Sequence, residues 1–431
     1  MSTPAGTRPF AAGLGYGLLG LPLAFVALPL YVHLPHVYAS RYGMPLATLG
    51  GVLLLARLFD ALIDPLLGRL GDRLQARSQQ RVLLAGGVSA AVLLAGMALL
   101  FFPPWERPDA PPMLLGALVL TCTAYSLLAI THQSWGARLG GDEVQRAHIV
   151  AWREGAGLLG VLLASVLPTW LGWGQWLAVF ALALSAGWLA WARSAAPTTA
   201  AVMPTGPWRR ELLHPWRHAP FRWLMAVFVL SGMASAVPAT LVLFFIEDRL
   251  GAGALQALFL AGYFMAAAAS IPLWMRAVAS WGLARTWLAG MWLSVAVFAW
   301  ASQLSTGDQV AYGWVCVLSG LALGTDLVLP GALLAGMIAE RGEHGQREGI
   351  YFGWWNLASK LNLALAAGLA LPVLEWLGYR PGSGSGEGLQ ALTLAYAVLP
   401  CGLKLLAAGM LYLGLVRRPP LSHPLSTPES P

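Results

Sequence analysis

Two aspartates and an arginine interrupt a long apolar segment in the first sixth of the chain. The segment runs from about Leu46 to Gly68 and contains Arg57, Asp60 and Asp64. At 3.6 residues per turn, the two aspartates lie on one face of a helix, with Arg57 one turn before them. Because charge is expensive inside a membrane, such residues are usually kept to handle ions or substrates. The spacing therefore predicts a helix face that can hold a cation or a proton.

The composition of the chain explains why this segment is placed in a membrane. Hydrophobic residues make up 58% of the 431 residues and charged residues only 10%, more apolar surface than a soluble core could bury. Apolar runs long enough to cross a hydrocarbon core of about 30 Å, which takes about 20 helical residues, recur about twelve times. Their continuity favours helices over a β-barrel, whose strands alternate apolar and polar residues. The sequence predicts an all-α integral membrane protein with about twelve transmembrane helices.

A polar stretch divides the predicted spans into two groups of six. We predict a first six-helix bundle over residues 1–193, a linker over 194–222, a second six-helix bundle over 223–416 and a disordered tail over 417–431. Arginines concentrate in the linker and in alternate loops, and cytoplasmic loops collect positive charge. The linker, the tail and both termini are therefore expected on the cytoplasmic side. The net charge of +7 follows from this topology and is not taken as a sign of nucleic-acid binding.

The sequence offers little support for an enzyme. It contains no Gly-x-Ser-x-Gly motif, no P-loop and no metal-binding run of histidines, and no soluble domain is long enough for a separate active site. Cys122, Cys316 and Cys401 fall within predicted spans and show neither disulfide nor metal spacing. We expect no cofactor and no metal other than a coupling ion, either Na⁺ or H⁺.

A short motif follows the charged segment and carries a first resemblance. Gly68-Arg-Leu-Gly-Asp72-Arg73 resembles the Gly-x-x-x-Asp-Arg signature of the major facilitator superfamily, found between helices two and three. The resemblance implies two six-helix halves that rock around a site near the middle of the bilayer. Gly68, Asp72 and Arg73 are then expected to form a cytoplasmic gate. In this gate Asp72 accepts hydrogen bonds from a neighbouring helix N-terminus, and Arg73 holds the contact between the halves.

Longer segments resemble one family within that superfamily. Residues 57–65 and 347–360, together with 131–139 and 146–153, resemble the glycoside-pentoside-hexuronide:cation symporters. The resemblance implies that Asp60 and Asp64 form the cation site and that Arg57 and Arg153 occupy matching positions.

The same resemblance implies that Lys360 approaches the aspartate pair from the other half. An unpaired lysine at the centre of an apolar span costs about 2.5–3.5 kcal/mol, so a carboxylate partner is also expected on physical grounds.

Charged residues of opposite sign occur in equal numbers within the predicted spans. Equal numbers indicate pairing inside a bundle, and purely structural ion pairs are the alternative for part of them. Asp326, in Leu-Gly-Thr-Asp-Leu-Val-Leu-Pro, is interpreted as a second coupling acid or a substrate contact. The set consists of Arg57, Arg153, Lys360 and Lys404 against Asp60, Asp64, Glu154 and Asp326.

Departures from the family pattern leave the coupling ion and the substrate open. Ile63 stands where well-known members carry a polar side chain, and the loss of an oxygen ligand makes sodium less certain. A proton needs only one carboxylate that can hold it, so H⁺ and Na⁺ both stay open. Gly20 and Thr131 replace acidic residues of the sugar site in helices one and four. Galactoside specificity is therefore not expected.

The remaining substrate candidates are side chains that could stack on a ring, form hydrogen bonds or shuttle a proton, with packing or interfacial anchoring as the alternative role. They are Thr131, His132, Trp135, Arg153, Trp354, Trp355 and Asn356.

Together these features predict a monomeric transporter in the lipid bilayer of the prokaryotic inner membrane. It would couple H⁺ or Na⁺ to the symport of a sugar-like or other small organic solute. Proton-coupled efflux of apolar compounds, translocation of lysolipids and a non-transporting sensor are the alternatives.

Overall fold

The protein is all-helical in a computed structural model that describes residues 9–27, 29–40, 42–104, 111–197, 206–380, 382 and 386–417. No strand occurs within these residues, so the predicted all-α class is confirmed. Continuous apolar runs form helices because a helix satisfies every backbone hydrogen bond within its own segment, as an apolar solvent requires.

The helices of the first half follow the predicted spans, except that the first span is broken. Pro29 begins a turn of π-helix over Pro29–His33, because proline supplies no amide hydrogen for a regular helix. The seventh helix starts with a capping box in which the Asp142 carboxylate accepts from the Gln145 amide. The helices are α1 (Pro9–Gly17), α2 (Gly20–Phe25), α3 (Leu34–Ser40), α4 (Leu46–Arg77), α5 (Gln79–Phe101), α6 (Pro111–Arg138), α7 (Glu143–Trp170) and α8 (Trp173–Ala192).

The described part of the linker contains the short helix α9 and a 3₁₀ turn over Pro215–Arg217, and the second half completes the bundle. Single π-turns extend three of its helical segments, over Phe245–Arg249, Leu394–Val398 and Tyr412–Val416. The helices are α9 (Trp208–Leu212) in the linker and then α10 (Ala219–Phe244), α11 (Gln256–Trp281), α12 (Leu283–Ala301), α13 (Gln309–Glu340), α14 (Glu348–Trp376), α15 (Gly386–Thr393) and α16 (Leu399–Leu411).

Ten helical segments among the described residues are long and apolar enough to cross a membrane. The other two predicted spans are the broken one, α1 to α3, and α4, which has 32 residues but carries Arg57, Asp60 and Asp64 in its middle. Helix α4 also continues to Arg77, nine residues beyond the apolar segment that the sequence analysis ended at about Gly68. The motif from Gly68 to Arg73 therefore lies in the last turns of a helix and not in a loop.

Apolar packing joins the two groups of helices. One buried cluster belongs to the first half and is built around Phe25, Trp176 and Trp191. A larger cluster contains residues of both halves, among them Val150 on α7 and Tyr351 on α14. Helices α4 and α14 pack along each other, as do α7 and α13. The predicted charged centre lies at the first of these contacts.

Candidate functional site

Helices from both halves converge on the two predicted aspartates. Asp60 and Asp64 lie in the middle of α4 and are 3% and 0% exposed. Lys360 reaches them from α14, with its ammonium nitrogen 2.8 Å from Asp60 Oδ1 and 2.8 Å from Asp64 Oδ2. The structure thus forms the contact that the cost of an unpaired lysine led us to expect. The role of this centre in cation binding stays a prediction.

The ammonium group of Lys360 is enclosed by oxygen atoms of three residues. Besides the aspartate contacts, it donates to Asp64 Oδ1 at 2.9 Å, to Ser126 Oγ at 2.7 Å and to the Asp60 carbonyl oxygen at 3.3 Å. Ser126 Oγ in turn donates to Asp60 Oδ1 at 2.8 Å. Sequence reasoning missed Ser126, whose only signal was a hydroxyl in the apolar helix α6. The hydroxyl oxygen of Ser126 offers the cation ligand that the side chain of Ile63 cannot provide.

The charges at this centre do not balance. Two carboxylates face the ammonium group of Lys360, so these three groups by themselves carry one excess negative charge when both carboxylates are ionised. Arg57 lies one turn earlier on α4 and is only partly buried. A proton or a monovalent cation would remove the excess, because an unneutralised charge in a low-dielectric interior is costly.

Arg153 and Glu154, which the sequence assigned to the same charge network, are neighbours on α7 and pair with each other. The Arg153 guanidinium donates to Glu154 Oε1 through Nε at 2.9 Å and through Nη2 at 2.6 Å. Gly20 packs directly against this part of α7. A Cβ atom at that position would lie 2.3 Å from the Arg153 carbonyl oxygen. This close approach explains why the helix carries no acidic side chain at Gly20.

The three substrate candidates on α6 are fully or almost fully buried in packing contacts of the first half. Thr131 Oγ1 donates to the Leu127 carbonyl at 2.6 Å. The His132 ring stacks on Tyr16 with centroids 4.2 Å apart. Trp135 Nε1 donates to the Ala195 carbonyl oxygen at 3.1 Å. Their role in substrate binding remains a prediction.

The three candidates on α14 have separate environments. Trp354 donates to the carbonyl oxygen of Leu212 in the linker at 2.8 Å. Trp355 stacks on Phe228 with centroids 3.7 Å apart. Asn356 Nδ2 donates to the side chain of Gln133 on α6 at 2.6 Å and so connects the two halves. Of the six candidates on α6 and α14, Asn356 makes the side-chain hydrogen bond across the halves.

The predicted gate motif joins the end of α4 to the first turn of α14 at one end of the bundle, the closed end. Asp72 is buried, and its two carboxylate oxygens accept from the amides of Gly349 at 2.7 Å and Ile350 at 3.0 Å, in the first turn of α14. The positive end of the helix dipole favours this carboxylate. Backbones touch beside it, because a Cβ atom on Gly68 would lie 2.0 Å from the Gly349 carbonyl oxygen. Arg73 is exposed in this conformation.

The linker is fastened to both halves at this closed end. Arg69 of α4 donates to the buried carboxylate of Glu211 in α9. His214 lies 2.9 Å from Glu343, the residue that follows α13 by three positions. Burial by itself would raise the pKa of Glu343. Hydrogen bonds from His214 and Tyr351 outweigh burial and hold the pKa of Glu343 below its usual value, so this carboxylate is ionised.

A second buried lysine lies entirely within the second half. Lys404 on α16 pairs with Asp326 on α13 at 2.5 Å and donates to Ser231 Oγ at 2.9 Å. Trp287 Nε1 on α12 donates to the other carboxylate oxygen of Asp326 at 2.8 Å. One carboxylate and one ammonium group leave no net charge here.

Asp326 also borders a cavity of about 160 Å³. Its other walls are mainly apolar and aromatic, including Phe259, Tyr263, Phe264, Phe298 and Tyr396.

The sequence of the chain decides its family. Residues 11–415 match the sequence model of the MFS/sugar transport protein family. The chain belongs to this family. It is therefore a multi-pass membrane transporter, and the predictions of a major facilitator protein and of no enzymatic activity are confirmed.

Two relatives from Escherichia coli (strain K12) match parts of the chain. The "Inner membrane symporter YicJ" is 24% identical over 160 residues, which are 36% of this chain and 34% of that protein. The "Putative glycoside/cation symporter YagG" is 28% identical over 121 residues, 28% of this chain and 24% of that protein. The matched segments thus span about a third and about a quarter of these relatives.

Solved structures establish the fold. A bacterial homologue of the iron transporter ferroportin in an outward-facing state superposes with a TM-score of 0.72 at 16% identity, covering 95% of this chain and 99% of that one. The Escherichia coli fucose:proton symporter FucP gives 0.66 at 13% identity, covering 93% and 98%. At these identities the likeness shows the shared family fold, which is the predicted architecture.

Proposed function

We propose that this family member couples a proton or a sodium ion to the symport of a sugar-like or other small organic solute. One observation carries the proposal: the ammonium group of Lys360 occupies an oxygen cage between the halves. The ammonium group of a lysine is a monovalent cation that is covalently attached to the chain. Here it occupies the place that a free cation would take. The centre therefore has the chemistry of an exchange site.

The excess negative charge at this centre favours the binding of a further cation. When a proton or Na⁺ binds at Asp60 and Asp64, Lys360 is held by one negative charge instead of two, and the contact between α4 and α14 weakens. Without the ion, Lys360 holds the two helices together. Ion binding and movement of the halves are thereby linked, as alternating access requires.

The oxygen set supports both ions. Carboxylate oxygens of both aspartates, the Ser126 hydroxyl and the Asp60 carbonyl are hard ligands of the kind that sodium prefers. A proton would need only one of the carboxylates. Entry of one positive charge down a membrane potential supplies about 2.3 kcal/mol per 100 mV in either case, enough to concentrate a solute.

The closed end is consistent with an importer in the state that precedes solute binding. Asp72 and the first turn of α14 close the end that carries the linker, which the arginine distribution places on the cytoplasmic side. In this proposal the protein lies in the prokaryotic inner membrane as a monomer with both termini in the cytoplasm. Its two bundles, residues 1–193 and 223–416, rock about the Asp60–Lys360 contact.

Uptake into proteoliposomes tests the proposal. Purified protein is reconstituted and offered labelled sugars, glycosides and hexuronates under an imposed sodium gradient, an imposed proton gradient or none. We expect one solute class to accumulate only under a gradient, and the effective gradient identifies the ion. Equal solute levels with and without both gradients would contradict coupling.

The aromatic cavity beside Asp326 favours one alternative, proton-coupled efflux of apolar compounds. Its volume and its phenylalanine and tyrosine walls fit an apolar ring better than a hydroxylated one. Release of protons from inverted vesicles upon addition of an apolar amine would support efflux. Lysolipid translocation is tested in the same vesicles with labelled lysophospholipid.

A further inference from the structure

Two histidines of the linker and one glutamate of the second half bring three ligand atoms together at the closed end. His214 Nε2 lies 2.9 Å from Glu343 Oε1 and 3.0 Å from His218 Nε2. His218 Nε2 is 3.6 Å from the same glutamate oxygen. The two histidines are partly exposed and Glu343 is buried behind them, so an ion could reach the three ligand atoms from water past the imidazole rings.

No placement of hydrogens on these three side chains turns all three short contacts into hydrogen bonds. The Arg341 guanidinium, which can only donate, lies 2.5 Å from His218 Nδ1, so in a neutral ring the hydrogen of His218 is on Nε2. That hydrogen points at His214 Nε2, which must then accept it. The hydrogen bond from His214 to Glu343 and the one between the two rings therefore exclude each other, because His214 Nε2 cannot accept one hydrogen and donate another. If it kept one, two N–H groups would face each other at 3.0 Å.

We propose that His214, His218 and Glu343 bind a divalent transition-metal ion, with Zn²⁺ as the probe. Around a tetrahedral zinc with bonds of about 2.0–2.1 Å, neighbouring ligand atoms lie about 3.3 Å apart, within the range observed here. Two imidazole nitrogens and a carboxylate oxygen are typical ligands of zinc and of other first-row transition metals. Water can fill the fourth position. The metal replaces the proton arrangement that the three atoms cannot achieve.

Groups around the triangle bear on its affinity in opposite directions. Tyr351 donates to the free oxygen of Glu343 at 2.9 Å and orients the carboxylate, as outer-shell partners of metal ligands do. Arg341 opposes the ion. Metal on His218 Nε2 moves the ring hydrogen to Nδ1, where the guanidinium now lies, so Arg341 must turn away. Removal of this cation should therefore strengthen binding.

Occupancy would fix the linker to the second half. His214 and His218 belong to the linker and the start of α10, whereas Glu343 follows α13. The linker is already paired with α4 through Glu211 and Arg69. A bound ion would thus hold the closed end shut, and we expect Zn²⁺ to slow transport. This last consequence rests on the proposed function, but the metal site itself does not.

Metal titration of the purified protein tests the site. The protein carries no histidine tag, is stripped with chelator and is titrated with ZnCl₂ in a calorimeter and with CoCl₂ in an absorption spectrometer. We expect one ion per chain and the intense visible bands of tetrahedral cobalt. H214Q and H218Q should each weaken Zn²⁺ binding at least about tenfold. R341Q should strengthen it.

His148→Gln is the matched control, because His148 is an exposed histidine on α7 whose ring contacts its own helix at Val144. Binding in H148Q should equal that of the unaltered protein. Two results would overturn the site. One is no zinc binding at all. The other is zinc binding that is equally strong in H214Q, H218Q and the unaltered protein, which would indicate an adventitious ion only. If H214Q and H218Q do not fold, the cobalt bands and the R341Q affinity decide. Uptake measured in chelator tests the proposed function separately.

Discussion

Two lysines each pair with carboxylates inside the helical bundle, and the two centres differ in charge and position. Lys360 and Lys404 both donate to carboxylate and serine oxygens. The Lys360 centre joins α4 and α6 to α14 across the halves and carries one excess negative charge. The Lys404 pair with Asp326 connects helices of the second half and is neutral. In the proposed function, the unbalanced centre between the halves exchanges its cation, whereas the balanced pair inside one bundle holds that bundle together.

The largest effect is expected from Asp64→Asn. This change removes one of the two carboxylates, so Lys360 and Asp60 balance and no charge remains for the coupling ion. Gradient-driven uptake should fall to the level of protein-free liposomes, and stabilisation by sodium or by acid should disappear. Asp326→Asn is the comparison, because it alters the neutral pair and should retain ion-dependent stabilisation. Undiminished accumulation by D64N would mean that coupling occurs elsewhere.

The neutral pair should matter more for stability. Lys404→Met leaves the partly buried Asp326 without its cation, and the loss in the free energy of unfolding should lie at the lower end of the about 3–5 kcal/mol that breaking a buried ion pair costs. Changing both residues, K404M with D326L, should restore most of it, because the paired charges also cost desolvation energy. Unfolding in mixed micelles measures both. Lys360→Met should cost less, since a proton can replace its charge; an equal loss for K360M and K404M would contradict the distinction.

The contact that closes the gate can be loosened at Gly68. A methyl group there meets the Gly349 backbone, and overpacking of this kind costs about 1–3 kcal/mol. In Gly68→Ala the amides of Gly349 and Ile350 should exchange hydrogen faster, as followed by mass spectrometry of the peptide that contains them. Gly50→Ala, in the same helix with open space around it, should leave exchange unchanged. Slow exchange in G68A would show that backbone contact does not hold this end closed.

The smallest effect concerns one oxygen of the cage. Ser126→Ala removes a hydroxyl that contacts both Asp60 and Lys360, a change of about 1 kcal/mol and about fivefold in cation affinity. The shift of melting temperature with sodium or pH measures it. Ser270→Ala removes a buried hydroxyl that bonds only within its own helix and should leave cation affinity unchanged. The same loss in both variants would exclude a specific contribution of Ser126.

Local sequence patterns predicted much of the fold and part of the charged centre. Hydropathy predicted the helical spans, the spacing of Asp60 and Asp64 predicted their shared face, and the energetic cost of a buried lysine predicted a partner for Lys360. The second helix, α4, continues to Arg77, nine residues beyond the apolar segment that ends at about Gly68. Charged residues lower the hydropathy of the last turns of α4, but hydropathy does not determine where a helix ends.

The sequence by itself determined the membrane class, the family and the residues too costly to bury without a partner, because hydropathy and charge are properties of single segments. Only the tertiary structure decided which faces meet. Ser126 joins the aspartates, and Trp287 joins Asp326, through packing between helices. His214 and Glu343, 129 positions apart, form a ligand set that shows no spacing in sequence. Such contacts depend on how separate helices approach each other, and that information is distributed over the whole chain.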